Sequence, residues 1–499
     1  MPSRRRSIWA GTLTLTGAAM ISRSLGMVYR VLLARFLGAE GLGLYQMLFP
    51  LFIALVTLSV AGTPVAISQI VADDRRDPMP WLRAAEFIIL AISVPIIAIL
   101  LLAARPIAMQ LYHDSRLGPL LALLTPALLA IAFSAVLRGF FLGRQQMEIP
   151  SIAQVVEQVV RVLIIWELLN WSTNHLLSYR LGVATTLISV GEGISLAILA
   201  LGFYRWRRRE AANPRSLRPP STGYPRTILK LSLPIMFGRL LGSMVGVAEA
   251  ALIPRQLRRF GLSEVVAVAF FGKLTGMALP LILFPTALTV SLSTNLIPAI
   301  AQADARQDRL QVTRLITESL SATAYLTVPV TVIMLLMGTA LDDWIFRTRL
   351  PPTVFTPLAL GAFFLYFDIA FSGILRGLGR TDLPLKNDLI ASAVEVAIIL
   401  VFGSPAGVSA ALAAGFFISW WLNAMATERL TGIRLQWTQI WRKPAVATVP
   451  LLLAVPLWQH WALIQHFSRS FNLAAGLGLA GGLYLIALRL AGFRWSRLI

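Results

Sequence analysis

Phe133-Ser134-Ala135-Val136-Leu137-Arg138-Gly139 recurs later in the chain as Phe371-Ser372-Gly373-Ile374-Leu375-Arg376-Gly377. Each copy is followed by Leu-Gly-Arg, at Leu142–Arg144 and at Leu378–Arg380. Working outward, Val71-Ala72-Asp73-Asp74-Arg75-Arg76-Asp77 matches Gln302-Ala303-Asp304-Ala305-Arg306-Gln307-Asp308, and Arg23-Ser24-Leu25-Gly26 matches Arg239-Leu240-Leu241-Gly242. The spacing between copies drifts, as loops of unequal length would make it drift. The chain therefore reads as one unit written twice.

Composition says what kind of unit this is. The 499 residues are 57% hydrophobic and only 13% charged, with a mean hydropathy of +0.73. Soluble domains carry about 25% charged residues, so this is a membrane chain. Apolar runs long enough to cross a core of about 30 Å fall at 8–36, 43–72, 82–104, 117–141, 150–171, 178–204, 227–253, 262–291, 316–339, 354–375, 386–403, 405–427, 444–462 and 471–491. The expectation is an all-α polytopic membrane protein of about 14 transmembrane helices, built as two parallel six-helix repeats plus two C-terminal helices. Its divisions are an N-terminal bundle (1–204), a basic cytoplasmic linker (205–226), a second bundle (227–427) and the last two helices (428–499). Such repeats commonly place a transport site between the halves at mid-depth.

Most of the 44 Lys and Arg fall on one side if the N-terminus is placed inside. By the positive-inside rule both termini are then cytoplasmic, and Met1–Arg6 leads into an uncleaved first helix. The net charge of +21 resides at the ends of apolar runs, so it reads as topology signal and as contact with anionic membrane lipids rather than with nucleic acid. Cysteine is absent, which excludes disulfides and thiolate sites. No phosphate-binding loop and no metal-ligand spacing of the four histidines is present. The reading is a transporter with no cofactor and no metal, driven by a coupling ion (Na+ or H+) or by the membrane potential.

Five basic residues fall inside the spans: Arg23, Arg30, Arg161, Arg239 and Lys273. A cation at mid-bilayer costs about 2.5–3.5 kcal/mol even on the lenient insertion scale. Arg23 and Arg30 are seven residues apart, on one face of the first helix. At 1.5 Å per residue Arg23, Arg239 and Lys273 lie about 22, 18 and 16 Å into their helices. Arg30 lies nearer the outer end, and with these three it forms the candidate cationic cavity for a phosphate-bearing substrate. The embedded acids Glu157, Glu249, Asp368 and Glu395, with Arg161, are candidates for ion coupling or for pairing within the cavity. Glu157 and Arg161 are spaced i to i+4. Arg161 and Glu395 occupy equivalent repeat positions, which allows an ion pair across the halves. Glu249 is placed to pair with Arg255 or Lys273. Arg138, Arg144, Arg376 and Arg380 mark an inner turn or gate in each repeat.

Ser22-Arg23-Ser24-Leu25-Gly26 with Leu33-Ala34-Arg35-Phe36-Leu37-Gly38-Ala39 resembles the first helix of the lipid II flippase MurJ. Glu40-Gly41-Leu42-Gly43-Leu44-Tyr45-Gln46-Met47, Phe49-Pro50 and Gly272-Lys273-Leu274-Thr275-Gly276-Met277-Ala278-Leu279-Pro280 look closer still to the stage V sporulation protein B branch. Both belong to the multidrug/oligosaccharidyl-lipid/polysaccharide exporter superfamily. The resemblance implies fourteen helices and alternating access. It implies movement of an undecaprenyl-pyrophosphate-linked sugar, foremost lipid II of peptidoglycan biosynthesis, from the inner to the outer leaflet of the bacterial cytoplasmic membrane. Arg23 matches a functional arginine of that family, and Lys273 stands where the family has arginine. Tyr29 and Arg30 stand where it has arginine and aspartate. Arg239 rests on its depth alone. Other readings are an organic-cation antiporter of the same fold, a flippase for another lipid-linked polysaccharide unit, and a non-transporting scaffold for cell-wall synthesis enzymes.

Overall fold

The computed structural model describes residues 2–72, 77–171, 176–212, 224–464 and 468–490, and these are helical throughout apart from turns. The helix Pro2–Val60 is bent at Gly38, giving α1 before the bend and α2 after it, and α2 is continued by Thr63–Val71. There follow α3 (Met79–Ile107, running on through a π turn to Tyr112), α4 (Leu117–Leu123 with Thr125–Gly143), α5 (Glu148–Trp171) and α6 (Leu177–Ala212). Next come α7 (Tyr224–Arg259) and α8 (Glu264–Lys273, a π turn Leu274–Ala278, Leu279–Leu283 and Thr286–Ala305). The chain ends with α9 (Arg309–Phe346), α10 (Pro352–Gly377), α11 (Asp382–Val401), α12 (Pro405–Thr431), α13 (Trp437–Ile464) and α14 (Arg469–Leu490). Among the described residues 11 helices are long and apolar enough to cross a membrane. The longest of these, Met20–Val71, contains the bend.

Two expectations are corrected. The sequence predicts a loop between 36 and 43, but the helix continues through it with only a bend. Gly38 sits at φ 69°, ψ −179°, a region essentially confined to glycine. The bend frees the Phe36 carbonyl, which accepts a hydrogen bond from Arg180 Nη1 at 2.9 Å. Gly38→Ala is expected to destabilise by about 1–3 kcal/mol. Its Cβ would meet no atom, so the cost is conformational. Thermal unfolding in detergent should register it, while Gly478→Ala in α14, also in open space, should not. The second correction concerns the linker. Residues 205–212 extend α6 and 224–226 open α7, because an Arg-rich stretch has good helix propensity. Residues 213–223 lie outside the described residues.

By contact the chain divides into two compact units. Unit 1 is Met1–Arg255 with Val268–Gly272, and unit 2 is Gln256–Ala267 with Lys273–Ile499. Helices in lipid gain little from apolar burial against one another, so close van der Waals approach must supply the packing. In unit 1 a Cβ at Gly139 of α4 would come within 2.6 Å of the Pro64 carbonyl of α2, and one at Gly143 within 2.7 Å of that of Ser68. In unit 2 the repeat-equivalent Gly377 of α10 would put a Cβ 2.9 Å from Ile300 of α8. The same pair of rods is thus sealed by the same glycine in each copy. Around these seams lie Ile67, Ile89, Phe140 and Phe141 in unit 1, and Ile316, Leu320, Phe367 and Phe371 in unit 2, all fully buried or within a few hundredths of it. The repeat-equivalent Asp77 and Asp308 also act alike. Asp77 Oδ1 accepts from Met79 N (3.0 Å) at the start of α3, and Asp308 Oδ1 from Gln311 N (2.9 Å) at the start of α9.

Burial ranks the rods: α10 buries 72% of its span within the protein, whereas α7 buries 22%. α13, which has no counterpart in the first repeat, is fastened by aromatic edges. Trp441 sits 5.5 Å from Phe363 and 5.9 Å from Phe367 of α10, and Trp437 5.5 Å from Trp420 of α12.

Candidate functional site

In unit 1, α1 carries Arg23 exposed and Arg30 half-buried, with Ser22 and Tyr29 buried beside them. α7 carries Arg239 exposed. No carboxylate of the described residues pairs with any of these three arginines. Arg161 of α5 is the opposite case. Its Nη2 lies 3.1 Å from Glu157 Oε1 and 3.2 Å from Glu192 Oε1 of α6, and donates to the Ile188 carbonyl at 3.4 Å. Arg138 of α4 joins the group, with Nη2 3.5 Å from Glu157 Oε2 and 2.8 Å from Ser195 Oγ. Two arginines and two glutamates thus neutralise one another across three helices. Gly191 makes room for the guanidinium, since a Cβ there would run into Arg161 Nε. Tyr29 of α1 and Tyr45 of α2 lie within electrostatic reach of Arg161. The i to i+4 spacing of Glu157 and Arg161 foretold the first of these contacts; Glu192 and Arg138 complete the set. Glu249 of α7 is half-buried and makes no ion pair with Arg255.

In unit 2, Lys273 is half-buried and stands at the end of the first segment of α8, where the π turn begins. Asp342 of α9 is fully buried and within electrostatic reach of it. Asp368 of α10 accepts from Asn423 Nδ2 of α12 at 2.7 Å, and Asn423 Oδ1 accepts from Asn387 Nδ2 of α11 at 2.8 Å. Ser419 Oγ of α12 stands 3.0 Å from Asp368 Oδ1 and 2.6 Å from Asp388 Oδ1. A hydroxyl owns a single proton. It can donate to only one of these oxygens, and Asp368 Oδ1 has the Asn423 amide besides. Glu395 of α11 is buried, and Gly415 of α12 leaves space for its carboxylate.

The turn arginines differ in detail between the repeats. Arg144 lies over the Trp206 ring at 5.2 Å, and Arg380 lies 2.9 Å from Asp382. Arg376 is exposed. On the opposite side of unit 1, Arg116 bridges Asp114 and Glu40, each at 2.6 Å. The hydrogen bonds to Asp114 raise its pKa above the ordinary arginine value.

Sequence reasoning passed over Asp342, Asn387, Asp388, Ser419 and Asn423. Asp342 precedes Asp343 at a helix end and reads as a loop acid. Asp388 lies in the first turns of α11, near Lys386 and Asp382. The spacing of Ser419 and Asn423, i to i+4 in an otherwise apolar helix, was the available signal.

Long apolar rods in two similarly packed sets, with charge confined to their interiors and ends, define a polytopic helical membrane protein of the transporter type. Comparison with known proteins agrees. A model of the family described as "Polysaccharide biosynthesis protein" matches residues 8–304, and the chain belongs to that family. Stage V sporulation protein B of Bacillus subtilis (strain 168) is 30% identical over 449 residues, covering 87% of this chain and 86% of the relative. The lipid II flippase MurJ of the same organism is 23% identical over 431 residues, covering 79% and 76%. Among solved structures, "Lipid II flippase MurJ, inward closed conformation" superposes with a TM-score of 0.70 at 16% identity, covering 95% of this chain and 98% of that one. An inward-facing multidrug resistance MATE family transporter gives 0.63 at 15% identity, covering 82% and 94%. These likenesses in three dimensions establish the fold, which the MurJ and MATE proteins share.

Proposed function

We propose that the chain is a flippase for an undecaprenyl-pyrophosphate-linked sugar, with lipid II as the foremost substrate. It carries the headgroup from the inner to the outer leaflet of the bacterial cytoplasmic membrane by alternating access. The observation that carries the reading is the contrast between two kinds of embedded cation. Arg161 is matched by Glu157 and Glu192 and has a structural use. Arg23, Arg30 and Arg239 have no such match among the described residues, and Lys273 forms no ion pair, with Asp342 only within electrostatic reach. Unmatched cations in spans suit a polyanion, and Arg suits bidentate phosphate contact. The isoprenoid tail stays in lipid, along helices α13 and α14. An organic-cation antiporter would want free acids in the first half, and there Glu157 and Glu192 are already ion-paired.

Export of about two negative charges across 100 mV, inside negative, runs down the potential and releases about 4.6 kcal/mol. Resetting the carrier falls to a coupling ion held by Asp368, where two aspartates gathered on the one Ser419 hydroxyl offer a place for H+ or Na+. Asp368→Asn should abolish the dependence of transport on the ion gradient while leaving substrate binding within about twofold. Transport by reconstituted protein, with and without a gradient, checks this, and unchanged gradient dependence would refute it. For the substrate the test is the accessibility of lipid II at the outer leaflet in cells depleted of their own flippase. Restoration by this chain supports the reading. Failure despite normal membrane expression points to another lipid-linked sugar or to a scaffold.

A further inference from the structure

Outside the embedded charges, unit 1 has a groove of about 390 Å³ between α5 and α6. On α6 it is lined by Ile198, Leu201, Gly202, Arg205, Trp206 and Arg209, which recur every three or four residues and so form one face of the helix. On α5 the matching face is Gln146, just ahead of the helix, with Ile149 and Ile152. The groove is apolar at one end and basic at the other. From Ile198 to Arg209 is eleven residues, about 16 Å along the axis, which is half the hydrocarbon thickness of a bilayer. Leu201 and Ile152 are half exposed, at 50% and 55%. Gly202 keeps the floor low, since a Cβ there would come within 2.8 Å of Ile149 Cγ2. Trp206 stands where the apolar floor meets the arginines, held edge-on to Phe140 at 4.7 Å. Indoles concentrate at the headgroup boundary. No carboxylate of the described residues pairs with Arg205 or Arg209, and both are exposed.

We propose that this groove is a binding site for an anionic phospholipid, with Arg205 and Arg209 holding the phosphate and an acyl chain lying over Ile149, Ile152, Ile198 and Leu201. The site is separate from the embedded cations and stands whether or not the flippase reading does. Charge selects the headgroup, because two guanidinium groups one helical turn apart suit a phosphate with no neutralising ammonium. The end of α12 in the second repeat, Thr427-Glu428-Arg429-Leu430, replaces the run of arginines with one acid and one base, so the site belongs to the first half only.

Native mass spectrometry of the detergent-solubilised full chain tests this, with phosphatidylglycerol, phosphatidylcholine and inorganic phosphate as probes. Phosphatidylglycerol should be retained, and the other two should not. Arg205→Gln with Arg209→Gln should weaken retention about thirtyfold, taking each arginine at the strength usual near a membrane surface. Arg207→Gln with Arg208→Gln removes the same charge from the other face and should change retention by less than about threefold. Ile152→Trp, which fills the exposed part of the groove, should lower retention without altering charge. All three variants alter exposed side chains, and an unchanged thermal midpoint in detergent confirms folding. Equal losses in the two arginine pairs would mean diffuse basic attraction and would overturn the site. Retention of phosphatidylcholine equal to that of phosphatidylglycerol, or no effect of Ile152→Trp, would overturn it too.

Discussion

Replacing Arg23 or Lys273 with alanine is expected to abolish function in a flippase-depleted cell. A charge-assisted contact to phosphate contributes about 1.5–3 kcal/mol, so each change should cost about ten- to 150-fold in transport. Arg23→Lys should recover part of this, because ammonium keeps the charge and loses only the bidentate geometry. Folding should be preserved. Neither residue forms an ion pair among the described residues; because Lys273 stands within electrostatic reach of buried Asp342, the thermal midpoint of Lys273→Ala is measured beside its transport. The checking measurement is outer-leaflet lipid II accessibility, normalised to membrane-inserted protein. Full activity of both alanine variants would remove the basis for a polyanionic substrate and favour the antiporter reading.

The largest loss of stability should come from Arg161. Removing it by Arg161→Met leaves Glu157 and Glu192 facing each other without their common cation. Breaking a buried pair on one side costs about 3–5 kcal/mol. Thermal unfolding in detergent should therefore fall much further for Arg161→Met than for Arg23→Ala. The double change Arg161→Met, Glu192→Gln should recover most of the loss, since Arg138 and Glu157 then match each other. Gly191→Ala should act in the same direction by pushing the guanidinium off its seat. If the single and double variants unfold alike, the ionic group has no structural role and Arg161 joins the candidate substrate cations.

The sequence made the repeat, the helical class and the embedded charges legible for definite reasons. A membrane span needs about 20 apolar residues, so a charge inside one stands out against its surroundings. The Phe-Ser-x-x-Leu-Arg-Gly heptapeptide also announced its own packing, because its glycine is the one that seats α4 on α2 and α10 on α8. What was not legible depends on rotation about helix axes. Spacing gave Glu157 to Arg161, which share a helix, but not Arg161 to Glu192 or Arg138 to Ser195, which lie on different ones. The same limit hid the group Asp368, Asp388, Ser419 and Asn423, contributed by three helices. Loop and bend look alike in composition, so Gly38 read as the middle of a connection when it is a kink in a continuous rod.

That kink bears on how the first two rods can move. A loop would behave as a slack tether, letting α1 and α2 rock separately. A single left-handed residue, with the carbonyl ahead of it clasped by Arg180, is instead an elbow. Under the proposed function, torque applied near Arg23 would be delivered along the same backbone to Tyr45 and Pro50, with α6 as the fulcrum.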